Sequence, residues 1–80
     1  MDAKYIIIQG HDGLEYPFIF SPLINHKDFA RTFEFKGKVV GAGFVSMGEN
    51  SFTCYGQSIS LGIESCSEDI EIFNRCFKRI

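Results

Sequence analysis

The sequence has little excess of either charge and no long apolar run, and both absences narrow what this 80-residue chain can do. Eight basic and ten acidic side chains give a net charge of −2, and the basic residues form no stripe. Because contacts to phosphates dominate nucleic-acid affinity, this balance argues against direct nucleic-acid binding. The longest apolar run, Ile6–Ile8, follows only Tyr5 and is far too short to span a membrane. We therefore expect no membrane partner.

Disordered and repetitive architectures are also excluded by composition. Two prolines and eight glycines are too few for a collagen-like or proline-rich chain. Disordered chains carry few aromatic side chains, whereas this chain has nine phenylalanines and three tyrosines. Its length allows one domain, residues 1–80, which buries only ~60% of the surface of the unfolded chain.

The cysteines, Cys54, Cys66 and Cys76, are odd in number and too few for a disulfide framework. The amino-terminal residues show no apolar segment with a small-residue cleavage site, so we expect no signal peptide and a cytoplasmic location with free thiols. No Cys-x-x-Cys and no paired histidines are present, and we expect neither a metal nor a cofactor. Each thiol is predicted to be a small buried hydrophobe.

Two β-hairpins are indicated by turn residues between β-branched and aromatic runs. Asp12-Gly13 favours a tight turn after the strand at residues 5–9, whose unbroken apolar pattern predicts that both of its faces are covered. Pro17 in the return strand lacks a backbone donor, which places that strand at a sheet edge or a bulge. A second hairpin is predicted from residues 39–47 and 51–55, joined by a loop containing Gly48.

The segments around the second hairpin are less regular. A short helix is predicted between residues 22 and 33, with Ser21 or Asn25 as its cap. Gly41 and Gly43 leave one face of a strand without side chains, so something must approach that face closely. The apolar phase changes after Gly56, which indicates a bulge or break there before an alternating strand over residues 58–63.

The carboxyl-terminal segment has a helical pattern. Ser65 and Glu68 fit a capping box, and the acidic residues precede the basic ones, as the helix dipole favours. The apolar stripe comprises Cys66, Ile70, Phe73, Phe77 and Ile80, and Ile72 and Cys76 widen it. Such a stripe must be buried, and an antiparallel sheet with one apolar face is the expected partner. The predicted fold is α+β: an antiparallel sheet of two hairpins, with about four to five strands, packed against a carboxyl-terminal helix, with a short helix or loop between the hairpins.

Two alternatives for chemistry come from single motifs. The segment from Gly41 to Met47 is similar to the strand on which RNA-recognition domains stack bases, so a nucleic-acid-binding regulator is one alternative. Cys66 near a helix amino terminus could have a lowered pKa and, with His11 or His26, act as a nucleophile. This second alternative is a small cysteine-dependent enzyme. Because no spacing brings these groups together, we predict no catalytic residues, and His11 and His26 are interpreted as surface residues.

Acidic residues cluster around the start of the predicted carboxyl-terminal helix. A solvated helix terminus explains such a cluster, but an acidic surface can also dock on a basic protein surface that normally holds nucleic acid. The candidate protein-binding residues are Glu64, Glu68, Asp69, Glu71 and His26. Twelve aromatic side chains in so short a chain also allow a homodimer, since one thin core cannot hide them all.

Three segments together resemble a set of short uncharacterised proteins from bacteriophages and prophages. They are Phe20-Ser21-Pro22-Leu23 with His26, Lys38-Val39-Val40 with Ala42-Gly43-Phe44, and Ser58-x-Ser60-Leu61-Gly62-Ile63-x-Ser65 with Asp69 and Asn74. The resemblance implies a phage origin and the cytosol of a bacterial host, and it brings no active site. By analogy with anti-CRISPR proteins, it favours stoichiometric binding to a host protein, such as a nucleic-acid-binding defence complex.

Overall fold

The computed structural model describes residues 2–48 and 51–77, which form six strands, two α-helices and one 3₁₀ turn. Strands β1 and β2 precede helix α1 and the 3₁₀ turn, strands β3 to β6 follow, and helix α2 comes last. Their bounds are β1 Asp2–Gly10, β2 Glu15–Phe20, α1 His26–Thr32, the 3₁₀ turn Glu34–Lys36, β3 Gly37–Met47, β4 Phe52–Tyr55, β5 Gln57–Ser58, β6 Ile63–Glu64 and α2 Ser67–Cys76. None of the described helices has the length and apolar character needed to cross a membrane.

Four strands form an antiparallel sheet in the order β2-β1-β3-β4, and β5 pairs with β6 in a second, two-stranded sheet. This arrangement confirms the predicted α+β fold, with two hairpins and a carboxyl-terminal helix on the sheet. Pro17 lies in edge strand β2, opposite Ile7 of β1. Its missing N–H therefore costs no ladder bond, as predicted.

Strand β1 lies at the centre of the sheet and is covered on both faces, which explains its unbroken apolar run. Tyr5 and Ile7 face α2 and pack with Phe73, while Ile6 and Ile8 pack on the opposite face with the α1 residue Ala30. The prediction that both faces of this strand are covered is confirmed, whereas the expectation of a sheet with a single apolar face is wrong. Because consecutive side chains of a strand alternate in direction, a continuous apolar strand needs a layer on each side.

The pairing of β1 with β3 shifts by one residue between Ile7 and Ile8, which leaves Val40 as the extra residue of a bulge. Residue Gly41 lies opposite Ile7, but Val39 lies opposite Ile8. The bulge thus moves Val39 into the core below α1, although simple alternation places it on the face of Gly41.

Helix α1 is shorter than predicted. It begins at His26, and the side chain of Asn25 accepts a hydrogen bond from the Lys27 N–H at 2.8 Å. The preceding residues form a turn instead, in which the N–H of Ile24 donates to the carbonyl of Ser21 at 3.0 Å. Asn25 rather than Ser21 caps the helix, because its side chain accepts a hydrogen bond from a backbone N–H of the first turn.

The break predicted at Gly56 is confirmed, whereas the alternating strand after it is not. Gly56 separates β4 from β5 with φ of 75°, a conformation that favours glycine. Residues 59–62 form a tight turn, closed by a 2.8 Å bond from the Gly62 N–H to the Ser58 carbonyl. Leu61 and Ile63 still reach the core below α1, but Ile59 is exposed to solvent.

Helix α2 begins one residue later than the predicted capping box implies. The cap is Cys66, and Asp69 closes the box in place of Glu68. Ile72 and Phe73 of the predicted stripe are buried in the core, whereas Ile70 is half-buried. Cys66 and Phe77, both predicted to lie on the buried stripe, are exposed, and Ile80 lies outside the described residues.

Candidate functional site

The predicted docking residues separate into an exposed set and a buried set. Glu64, Glu68 and Glu71 are exposed, and we call them the acidic surface. Asp69 and His26 are buried, with 3% and 4% of their surface exposed. The expectation that both side chains lie on the protein surface is therefore wrong. The shifted helix start buries Asp69, and packing below the sheet buries His26.

Asp69 is the centre of a hydrogen-bonded cluster between α2 and the sheet. The hydroxyl of Tyr5 donates to Oδ2, which also accepts from the Cys66 N–H at 3.2 Å. The thiol of Cys66 donates to Oδ1 at 3.3 Å. A buried carboxylate needs such partners, because leaving it bare in the core is costly.

The glycine pair of β3 makes room for this cluster, as the sequence indicated. A Cβ atom at Gly41 would lie 3.0 Å from Asp69 Oδ1, and one at Gly43 would lie 3.0 Å from the Cβ of Ser65 and 2.8 Å from the carbonyl oxygen of Tyr55. Within the strand that is similar to the base-stacking strand of RNA-recognition domains, residues 41–43 are therefore buried, whereas Phe44 is half-buried.

Burial, followed by the hydrogen bond to Asp69, raises the pKa of Tyr5 far above its usual value. The phenol is therefore held as a hydrogen-bond donor to the Asp69 side chain. This hydrogen bond joins the start of α2 to the central strand of the sheet.

The thiols lack the features of an activated nucleophile. Desolvation and the hydrogen bond to Asp69 raise the pKa of Cys66, although the residue is exposed at a helix terminus, where we expected a lowered value. Burial raises the pKa of Cys54 to about 11. Cys76 is exposed and Cys54 is half-buried, so the prediction of three buried thiols is wrong. A neutral thiol is a weak nucleophile, since the thiolate is the reactive form.

Both histidines make contacts away from the thiols. Nε2 of His11 lies 3.3 Å from the carbonyl oxygen of Phe35, and Nε2 of His26 lies 2.8 Å from that of Gly43. The His26 ring also makes edge contacts with Phe20 and Phe44, with centroids 5.6 and 5.7 Å away. Among residues 2–48 and 51–77, no group of three or more His, Cys, Asp or Glu side chains is placed to hold a metal ion.

Acidification is expected to destabilise the fold through His26. Burial, with a smaller effect of Lys4, lowers the pKa of this ring in spite of its bond to Gly43. The contribution of the neutral His26 ring to the stability of the fold is fully present above the unfolded-state pKa of about 6.5. It is lost as the pH falls below that value. Urea unfolding at pH 7.5 and pH 5.0 should show a lower midpoint at the acidic pH.

The control for this pH effect is His26→Gln, which keeps a donor for the Gly43 carbonyl but does not titrate. Its unfolding midpoint should change less between the two pH values, whereas the exposed His11→Gln should behave like the unmodified chain. Asp2 and Asp12 do not interfere, because hydrogen bonds from Tyr55 and Tyr16 lower their pKa values below 3.8. An equal midpoint shift in His26→Gln would contradict the assignment.

A groove of about 290 Å³ lies beside α1, and we call it the α1 groove. Its floor is aliphatic and consists of Ile8, Ala30, Val39 and Leu61. These side chains come from four separate segments, so only the folded sheet brings them together. Sequence reasoning missed this groove, although the turn at residues 59–62 and the bulge at Val40 are what place Leu61 and Val39 there.

The rim of the α1 groove carries three basic side chains, Lys27, Arg31 and Lys38, and one acidic side chain, Glu34. All of them are exposed. The spacing of Lys27 and Arg31, four residues apart on a helix, was the available signal for a shared face. Among the described residues, Arg75 and Glu15 form an ion pair at 3.2 Å, and none of the charged rim side chains has an ionic partner.

Several large apolar side chains point into solvent away from both cores. Leu23, Ile59 and Phe35 are 94%, 85% and 71% exposed. They lie in the turn before α1, the turn between β5 and β6, and the 3₁₀ turn. All three are therefore on connections, where loops commonly carry binding residues.

The exposed apolar side chains, the α1 groove and the acidic surface all lie on the outside of this domain. No family model matches the chain, and neither a curated protein nor a solved structure matches it significantly.

Proposed function

We propose that this protein is a phage-encoded binding protein that acts by forming a stoichiometric complex with a protein of its bacterial host. The observation that carries the proposal is the exposure of large apolar side chains, above all Leu23, Ile59 and Phe35. Single exposed apolar residues are ordinary; the proposal is that these three, each on a connection between elements, are covered by a partner.

These side chains are not a defect of a poorly formed core. Both faces of the sheet are covered, and β1 is buried along its central residues. The exposed residues lie outside the two cores, so covering them with a partner would not disturb the fold. Burial on binding releases about 25 cal/mol per Å² of apolar surface before the costs of association.

The properties of the thiols and histidines favour a binding protein over a cysteine-dependent enzyme. The pKa values of Cys54 and Cys66 are raised, and His11 and His26 contact backbone carbonyls in other parts of the fold. A cysteine nucleophile needs a base within hydrogen-bond reach or a lowered pKa. The nucleic-acid alternative is not favoured, because Ala42, which stands where that strand carries a stacking aromatic residue, is buried.

Inhibition of a defence system such as CRISPR-Cas is the narrower form of this proposal. The acidic surface supports it, since the carboxylates of Glu64, Glu68 and Glu71 are exposed, and no lysine or arginine occurs between residues 39 and 74. A negatively charged surface steers a protein towards basic surfaces, and these are found on proteins that hold nucleic acid.

The experiment is affinity capture of the tagged chain from host lysate, followed by native mass spectrometry of the recovered complex. We expect one host protein in a fixed ratio to the bait. The matched control is a bait with Leu23→Ser, Phe35→Ser and Ile59→Ser, which should keep its circular dichroism spectrum and lose the partner. Equal recovery by both baits, or no protein in fixed ratio, would overturn the proposal.

Sedimentation of the purified chain distinguishes a surface that binds a host protein from one that forms a homodimer. A monomer of 9.1 kDa leaves the exposed side chains free for another protein. A stable particle of twice that mass, which the triple serine variant abolishes, would instead assign the same surface to a homodimer.

A further inference from the structure

We propose that the α1 groove binds an acidic polypeptide segment of the partner and takes one apolar side chain of that segment into its floor. This inference rests on the proposed binding function and names the chemistry that the groove selects. Its basis is the combination of an aliphatic floor with a basic rim in a chain whose net charge is −2.

The floor of the α1 groove suits one apolar side chain, which would anchor the bound peptide. Ile8 and Ala30 are buried, and Val39 and Leu61 are half-buried at the groove. A volume of about 290 Å³ is at the lower end for a ligand pocket and suits one or two side chains rather than a large cofactor. Anchors of this kind dominate peptide affinity when they leave water for an apolar site.

The rim supplies charge complementarity. Lys27, Arg31 and Lys38 carry three positive charges against the single negative charge of Glu34. Since the described residues provide no ionic partner within 4 Å for these cations, a segment with carboxylates on both sides of the anchor satisfies them. The opposite choice, a basic segment, would place like charges together and would be repelled.

A polypeptide fits the groove better than a single-stranded nucleic acid. None of the described residues lining the groove is aromatic, and base binding depends on aromatic faces for stacking. An acidic peptide can place an aliphatic residue over the floor and its carboxylates beside Lys27, Arg31 and Lys38.

The test is selection of random 12-residue peptides by mRNA display against the folded 80-residue chain, with counter-selection against the Arg31→Glu variant. We expect the enriched peptides to be rich in Asp and Glu around one large apolar residue. Titration of the best peptide should shift the amide NMR signals of Ala30, Val39 and Leu61. Replacing its acidic residues with Gln should weaken binding at least about fivefold.

The matched variants are Arg31→Glu and Lys38→Glu at the rim, with Lys36→Glu as an exposed charge reversal outside the groove. Both rim variants should weaken binding of the peptide at least about fivefold, whereas Lys36→Glu should weaken it less than about twofold. Enrichment of neutral or basic peptides, no enrichment, or tighter binding of oligothymidylate at the same amides would overturn the inference. If the host complex survives both rim variants, the inference fails while the proposed function stands.

Discussion

Replacing Asp69 by alanine is expected to lower the free energy of unfolding by about 3 kcal/mol. The substitution leaves the Tyr5 hydroxyl without its acceptor in a site that is fully buried. It also removes the side chain that accepts the Cys66 N–H at the start of α2, and a lost helix cap alone costs about 1 kcal/mol. Urea denaturation followed by circular dichroism measures the change.

Two further variants show whether the hydrogen bond to Tyr5 is responsible. Asp69→Asn keeps an acceptor oxygen and should cost less than alanine, whereas Tyr5→Phe removes the donor and keeps the ring against Phe73. In the double variant Asp69→Ala with Tyr5→Phe, the second change should cost less than it does alone. Additive losses would contradict direct coupling between the two side chains.

Much of the sheet could be predicted because its signals are local. Asp12-Gly13 lies in the turn between β1 and β2, and Pro17 lies on the edge strand, where its missing donor is harmless. The unbroken apolar run of β1 also indicated coverage on both faces. Each of these features depends on a few neighbouring residues, and those are visible in the sequence.

The start of α2 was harder to predict, because two overlapping patterns compete there. Ser65 with Glu68 and Cys66 with Asp69 have the same capping-box spacing, and serine is ordinarily the better cap. Successive helical residues point about 100° apart, so a shift of one position decides which acid faces the sheet. The space above Gly41, on a distant strand, accommodates Asp69 and settles the choice.

The candidate site depended even more on contacts between distant segments. Lys27 and Arg31 share a helix face, but Lys38 joins them only because β3 pairs beside β1. Leu61 reaches the groove through a turn where the apolar alternation predicted a strand. His26 was interpreted as a surface residue, since nothing local shows that Phe20 and Phe44 enclose it. The fold class was therefore accessible from the sequence, and the binding surface was not.

Replacing Phe73 by alanine should have the largest effect on stability, a loss of about 3–5 kcal/mol. Its ring is fully buried, lies 5.1 Å from the Tyr5 ring in an edge contact, and is 5.5 Å from the ring of Phe52. An 80-residue domain is stable by roughly 4–12 kcal/mol, so this single cavity removes a large share of the total. Thermal and urea unfolding should both show a large decrease of the unfolding midpoint.

The comparison with Phe77, one turn further along the chain, separates burial from helix propensity. Phe77→Ala removes the same atoms from a ring that is 41% exposed and should cost about 1 kcal/mol. Phe73→Leu, which keeps most of the volume, should fall between the two alanine variants. If Phe77→Ala were as harmful as Phe73→Ala, the packing of α2 on β1 would not be the main source of stability.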